Sequence, residues 1–431
     1  MTAPLRYCPL FKPGLAFPPN PSLQPAVQAR MSRVSGDESM DELAESMIAQ
    51  EGFAVAAVLR YVLELCRREN VLDYAVMAGG SKIATVRPLS PAFEFRPGAR
   101  GRHLSRFAYL RREGARMVLE SPRALARLEF EPQTAFSLAS VLLCAEPPEG
   151  ADSPVLQLLA DTGFLATPEE NSPPAVYWEF HDLLFHRASR LFPGRRTGAT
   201  WRFQGRIESP PAIKPPMSDC AIPLTRPPAP EAGPGFHEVL ESRRSIRDPG
   251  VRPITLVQLS EFLFRSVGIR KRIAGGPQEV LLRPYPSGGA IHELEYYIAV
   301  HQCDGLEAGF YHYHAGEHAL YRLAVAEPDW RSLFATAQAS WGGEHPTPNL
   351  HFTLAARLPR LAWKYQGLVY RIALINAGAA VQTMYLVATA MGLAPCAVGN
   401  GDPARFAAIT GLNPMEETSI AEFVLSTMPG T

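Results

Sequence analysis

Three short segments of this 431-residue chain carry residue types that could hold and use a flat, phosphorylated ring. The first is Glu241-Ser242-Arg243-Arg244-Ser245-Ile246-Arg247, at the end of an apolar helical stretch. Arginine forks match phosphate oxygens two at a time, and Ser245 adds a hydroxyl donor. The odd-numbered side chains Arg243, Ser245 and Arg247 could converge on one phosphate. The second segment is Arg283-Pro284-Tyr285-Pro286-Ser287-Gly288-Gly289-Ala290. Its paired glycines permit positive backbone dihedrals and let the main chain approach a ring closely. The third is Lys364-Tyr365, which leads into a long apolar helix. A nearby ammonium favours tyrosinate and would make Tyr365 a workable general base. Alone, each is more often a solvated helix end, a tight turn or a surface pair. Together they suggest a flavin enzyme.

Other chemistries find less support. No G-x-G-x-x-G opens a helix, so nicotinamide binding does not follow from the glycines. His181 and His186 are five apart, off a common helix face, and His312, His314 and His318 have no companion carboxylate or cysteine at fixed spacing. No metal site is expected. Cys8, Cys66, Cys144, Cys220, Cys303 and Cys396 are scattered, without a Cys-x-x-Cys pair, which argues against a disulfide framework. Lys+Arg and Asp+Glu are both 42, leaving no global field to attract nucleic acid or an anionic membrane. The N-terminus lacks a signal-peptide core, and no uninterrupted apolar run approaches membrane-spanning length. The expectation is a reduced, cytoplasmic protein.

The elements that must position these residues fall into an organised order. Residues 1–40 read as a Pro-rich, irregular lead-in, and 41–166 as a winged-helix-like α/β module. In that module a helical stretch covers 41–70, and strands flank the Gly79-Gly80 turn signal. A basic loop at 96–102 precedes two strands around Arg112-Glu113-Gly114, and helices are expected at 133–144 and 153–164. Residues 167–235 comprise an aromatic helix (177–190) and a Pro-rich arm or linker. From 236 to 431 the pattern is α+β. It shows a helix N-capped by Thr255, a strand at 295–300, a hairpin (309–313 and 318–323) and a helix from 369 to 391 ending at Gly392. A strand at 394–398, a short helix at 403–410 and a last strand at 420–427 complete it.

Six motifs in this order resemble the SagB-type dehydrogenases, the azoline-oxidising branch of the flavin-dependent nitroreductase superfamily. They are WEFHDLLFHRASR (178–190), RRSIRD (243–248), RPITLVQL (252–259), PSGGAIHELEYYI (286–298), GLEAGFYHYHAGEHAL (305–320) and GLAPCAVGNGDP (392–403). The resemblance implies an α+β sandwich that dimerises around FMN. Arg243, Arg244, Ser245 and Arg247 would lie at the ribityl phosphate. Pro286, Ser287, Gly288 and Gly289 would lie along the isoalloxazine, with Gln382, Ala397, Val398, Gly399 and Asn400 near the ring. Lys364 and Tyr365 match a pair implicated in azoline dehydrogenation, with Tyr365 expected as the base and amides near Gly288 and Gly399 stabilising charge on the flavin.

Two departures stand out. The long helix usually carries Glu-Ala-Gly-His, whereas here it reads Asn376-Ala377-Gly378-Ala379. The tail Phe423–Thr431 also lacks the basic residue that members tend to carry. The implied activity is oxidation of thiazoline or oxazoline rings in a ribosomally made peptide, beside cyclodehydratase partners. Two other classes stay open: an NAD(P)H-dependent nitro or quinone reductase, and a non-catalytic scaffold of a peptide-modifying complex.

Overall fold

The computed structural model describes residues 4–97, 103–134, 137–139, 153–190, 197–229, 233–342 and 345–430. Contacts divide the chain into two units, Met1–Arg195 and Arg196–Thr431. The first begins with order where the sequence suggested an irregular lead-in: β1 (Arg6–Phe11) and α1 (Pro25–Met31). Pro9 hid the strand, and it is tolerated because β1 forms the sheet edge, beside β2 alone. Ser39 then caps α2 (Met40–Glu51), accepting from the Glu42 amide while the Glu42 carboxylate accepts from the Ser39 amide. Left-handed Gly52 turns the chain into α3 (Phe53–Arg68).

The strands β2 (Leu72–Ala78) and β3 (Ser81–Pro88) are joined by Gly79 and Gly80, both at positive φ. With β4 (Tyr109–Glu113), β5 (Arg116–Glu120) and β6 (Ala126–Phe130) they make a sheet in the order β1-β2-β3-β6-β5-β4. Alternate residues Leu72, Tyr74 and Val76 pack against Leu59 and Leu63 of α3, and against Leu158 and Leu159 of α4 (Pro154–Asp161). The expected helix at 133–144 and the basic loop at 96–102 lie largely outside the described residues. The aromatic segment forms α5 (Phe180–Ala188), which buries none of its side chains.

In the second unit, three small ladders pair β7 (Gly198–Ala199) with β17 (Tyr365–Gln366), β9 (Ile254–Thr255) with β13 (Cys303–Asp304), and β10 (Lys271–Ile273) with β11 (Val280–Leu282). The main antiparallel sheet is formed by β8 (Ala221–Pro223), β12 (Leu294–Val300), β14 (Gly309–His314), β15 (Ala319–Leu323), β16 (Leu350–Arg357), β18 (Leu393–Val398) and β19 (Glu417–Thr427). Its order is β18-β19-β16-β12-β14-β15-β8. The helices are α6 (Phe236–Ser242), α7 (Leu256–Val267), α8 (Glu327–Trp341), α9 (Leu358–Lys364), α10 (Val369–Ala390) and α11 (Pro403–Thr410). Thr255 does cap α7, through a reciprocal pair with Gln258.

Helices cover both faces of this sheet, so its central strand β12 is buried along its whole length. Tyr296, Ile298 and Val300 pack with Phe262 and Leu263 of α7 and Ala377, Ala380 and Met384 of α10. On the opposite face Tyr297 and Ala299 meet Trp330, Leu333 and Phe334 of α8 and Phe406 of α11. By length and composition α10 could cross a membrane. Its buried residues recur every three or four positions (Ala373, Ala377, Ala380, Met384, Ala388), the stripe of a core-facing helix.

Register places the glycine turn, α9 and the Gly399 loop at one end of the sheet. Leu294 pairs with Ala356, Arg357 with Glu417, and Glu422 with Val398. There β12 begins after the glycine turn, β16 runs into α9 and Lys364, and β18 exits toward Gly399.

Candidate functional site

The glycine turn is built from strained backbone. Gly289, Ala290 and His292 have φ of 61°, 58° and 48°. Left-handed backbone costs a non-glycine residue on the order of 1–3 kcal/mol, so the surroundings must enforce it. Gly288 packs so tightly against α10 that an added Cβ would lie 2.6 Å from Ile372 Cγ2. A Cβ on Gly289 would fall on Lys364 Nζ and Tyr365 Oη, far inside van der Waals contact. The Lys-Tyr pair therefore stands directly over the turn, 75 residues away in sequence, and Lys364 Nζ donates to the Gly289 carbonyl at 3.4 Å.

Two residues hold the turn from outside. Asn376 of α10, 2% exposed, accepts the Gly288 N–H at 3.0 Å and donates to Ser287 Oγ and to both carboxylate oxygens of Glu293, each at 3.0 Å. Ser287 Oγ also accepts the His292 N–H at 3.0 Å. The Gly288 amide is thus turned into the protein, which corrects the expectation that it faces a flavin. Burial raises the Glu293 carboxyl, and hydrogen bonds from Asn376 and Ser287 draw it partly back. Burial, aided by Arg283 and Arg360, pushes His292 down to about 3, so its ring stays neutral.

The second holder is Arg360 of α9, fully buried and without a carboxylate partner among the described residues. Its guanidinium donates only to carbonyls: Pro210 at 2.7 Å, Ile291 at 2.9 Å and Glu279 at 3.0 Å. Arg360 and Lys364 lie one turn apart on α9, so the helix that carries the pair is bolted to the turn beneath it. Residues of the Pro-rich arm complete the frame. The amides of Thr200 and Trp201 donate to the Lys364 carbonyl, Trp363 Nε1 donates to Ile207 O, and Arg357 donates to Pro211 O. A proline segment offers carbonyls without ladder amides, which suits it to accept from buried arginines.

Burial lowers the Lys364 ammonium and raises the Tyr365 phenol. Burial thus disfavours the charged form of each, the Lys364 cation and the Tyr365 anion. The Trp201 and Tyr365 rings, 5.2 and 5.3 Å from Nζ, offset the lysine shift in part by attracting its cation.

A separate cluster forms nearer the other end of α10. The Arg243–Arg247 stretch is extended rather than helical, and the Ile246 N–H donates to Pro395 O at the edge of β18. Tyr385 organises it. The phenol oxygen accepts the Ala397 N–H at 2.6 Å and bonds Ser245 Oγ at 2.8 Å, while Arg243 lies over the ring at 5.1 Å. Arg244 and Arg247 are exposed with no carboxylate partner among the described residues. Gln382 is exposed on α10, on the side of Ile375 and Gly378, and makes no hydrogen bond to either cluster among the described residues. Val398 is buried, Pro286, Gly399 and Asn400 are exposed, and Ala397 lies between. The sequence reading missed Tyr385, Arg360, Trp201 and Glu293, and knew Asn376 only as a departure.

The nitroreductase family profile matches residues 240–423, and the profile of the cyanobactin oxidase ThcOx matches residues 102–151. A Methanocaldococcus jannaschii protein bearing the nitroreductase name is 30% identical over 164 residues, 38% of this chain and 78% of that protein. The chain belongs to the nitroreductase family. The trifolitoxin-processing protein of Rhizobium leguminosarum bv. trifolii is 26% identical over 149 residues, 34% of this chain and only 40% of that protein. A chain of the E. coli microcin synthetase complex with a truncated precursor bound is 19% identical. That match covers 47% of this chain and 76% of the other, with a TM-score of 0.36. By the ThcOx and trifolitoxin-processing matches, the chain resembles the SagB-type members of the nitroreductase family. Nitroreductase-family proteins typically bind FMN.

Proposed function

We propose that this nitroreductase-family protein is an FMN-dependent dehydrogenase that converts thiazolines or oxazolines of a ribosomally made peptide to thiazoles or oxazoles. The observation that carries the reading is the Lys364-Tyr365 pair standing over the Gly289 turn. The residues present fit the cofactor. Exposed backbone at Gly289 and Gly399–Asn400 suits a flat ring, and Arg244 and Arg247, beside Arg243 and Ser245, suit its phosphate.

Lys364, as the amine, would take the proton from the ring carbon next to the peptide carbonyl. Tyr365, kept protonated by burial, would donate a hydrogen bond to the charge that builds on the substrate. Bound FMN supplies the hydride acceptor, so that loss of one proton and one hydride leaves the aromatic azole. Arg360 and the Pro-rich arm keep the pair aligned, and orientation is most of what an aromatising reaction needs from the protein.

The reading extends to assembly. Leu374 and Ile375, exposed by 38% and 59%, give α10 an apolar face that a second copy would cover in a homodimer. The N-terminal unit would serve as the winged-helix-like reader of the peptide, and a cyclodehydratase would supply the azoline in the cytoplasm.

The test is an azoline-peptide assay on the FMN-loaded protein, comparing Lys364→Met with Tyr365→Phe. Lys364→Met should lose activity more severely. The kcat of the wild type should rise with pH as Lys364 deprotonates, below the ordinary lysine range, and Tyr365→Phe should keep that rise. Loss of the rise in Tyr365→Phe would return the base to Tyr365. Rapid FMN reduction by NAD(P)H without azoline oxidation would assign the nitro or quinone reductase class instead.

A further inference from the structure

We infer that Glu293 and Asn376 form a clamp that tolerates a single carboxylate, in which Asn376 is the positioning residue that fixes the glycine turn for the cofactor. The ligand's identity rests on the function proposed above; the clamp itself rests on geometry alone.

Asn376 commits both ends of its amide. The oxygen accepts from Gly288, and the nitrogen donates to Ser287 and to both oxygens of Glu293, all at 3.0 Å. Asn376 and Glu293 are 2% and 0% exposed, so neither can turn to water for a replacement partner. A carboxylate at 376 could still accept from Gly288, but it could not donate. It would also stand within hydrogen-bond distance of a second carboxylate, and like charges at that separation cannot both ionise. The charged groups near Glu293 are Arg283 and Arg360, with the phenols of Tyr285 and Tyr296 also close; Arg360 is already committed to three carbonyls. A second anion would therefore have no cation of its own.

Asn376 and Glu293 thus act as one unit, in which the site keeps its one carboxylate on the loop. Its consequence is conformational. The backbone from Gly289 to His292 passes through three left-handed residues, and Asn376 pins the start of that stretch while Arg360 pins Ile291. The Gly288 amide is thereby withheld from the cofactor, and Gly289 is the part of the turn left exposed.

The experiment is a charge-swap cycle of Asn376→Asp, Glu293→Gln and the double variant in the full-length protein. FMN affinity is read by fluorescence quenching, and the melting temperature of the apoprotein is read alongside. Asn376→Asp should weaken FMN binding by roughly tenfold or more and lower the apoprotein melting temperature. Glu293→Gln should cost less, because an amide can replace the acceptor. The double variant, with its one carboxylate moved to the helix, should recover most of both losses. A double variant no better than Asn376→Asp, or an Asn376→Asp protein indistinguishable from wild type, would overturn the clamp. If Asn376→Asp is insoluble, a soluble double variant supports the clamp and an insoluble one overturns it. If the wild type binds no FMN, the function reading fails, while the melting temperatures of the four proteins still decide the clamp.

Discussion

The two clusters along α10 are organised by opposite means. Around Asn376 the polar groups are buried and their partners lie within the protein: an amide, a carboxylate, a serine, and a lone guanidinium on three carbonyls. Around Tyr385, nine residues and about 14 Å of helix rise farther on, one phenol ties the Arg243–Arg247 segment to β18 while Arg244 and Arg247 stay exposed. The first cluster is finished before any ligand arrives. The second keeps its charges open and leaves part of its order to an anion. Changes at the turn should therefore register in the empty protein, and changes at the arginines only when ligand is present.

The largest effect should come from the point where turn and pair touch. Gly289→Val adds a branched side chain where Lys364 Nζ and Tyr365 Oη already sit, on backbone at φ 61°. The pair must move, and displacement by about 1 Å can cost about 100-fold in rate. We expect azole formation to fall by at least that factor while the arginine cluster still binds phosphate-bearing flavin. An active Gly289→Val enzyme would mean that the pair does not act from this position.

Arg360→Met separates the clusters by stability. The substitution removes the cost of burying a guanidinium but strands the carbonyls of Pro210, Glu279 and Ile291. Each deserted acceptor costs about 1–3 kcal/mol, so the carbonyls should win with a net loss of about 3 kcal/mol. Chemical denaturation of the apoprotein should show it, and Arg360→Lys should restore only part, because an ammonium cannot reproduce the planar fork. An unchanged denaturation midpoint for Arg360→Met would show that the frame is held elsewhere.

How far the sequence revealed this contrast depends on how local each feature is. Arg-Arg-Ser, Ser-Gly-Gly and Lys-Tyr are contiguous, so residue type alone marked them as candidates. Thr255 and Gly392 marked helix ends by local rules that hold in the structure. Asn376, Arg360 and Tyr385 act on backbone groups 12 to 150 residues away, and no spacing rule links an arginine to the carbonyl of Pro210. The buried strand β16, beside the central β12, escaped for a related reason. Covered on both faces, it has no alternation to detect, and its fully buried His351 and Thr353 resemble surface residues in a one-dimensional reading. Proline made β1 and the stretch 209–235 look unstructured, because it removes the amides by which strands are recognised and leaves the carbonyls that Arg357 and Arg360 use.

The smallest effect, and the sharpest contrast, should come from Arg247→Ala. Arg247 is exposed and has no carboxylate partner among the described residues, so the apoprotein should melt at the wild-type temperature. Only the ligand should notice. A charge-assisted hydrogen bond to phosphate is worth about 1.5–3 kcal/mol, which corresponds to roughly 10- to 100-fold in FMN affinity. Because the arginine is solvated, added salt should weaken FMN binding to the wild type and narrow the gap between the two proteins. Riboflavin, which lacks the phosphate, should bind both equally. A riboflavin affinity that falls with the FMN affinity would move Arg247 from the phosphate to the ring, and would erase the division of labour between the two parts of α10.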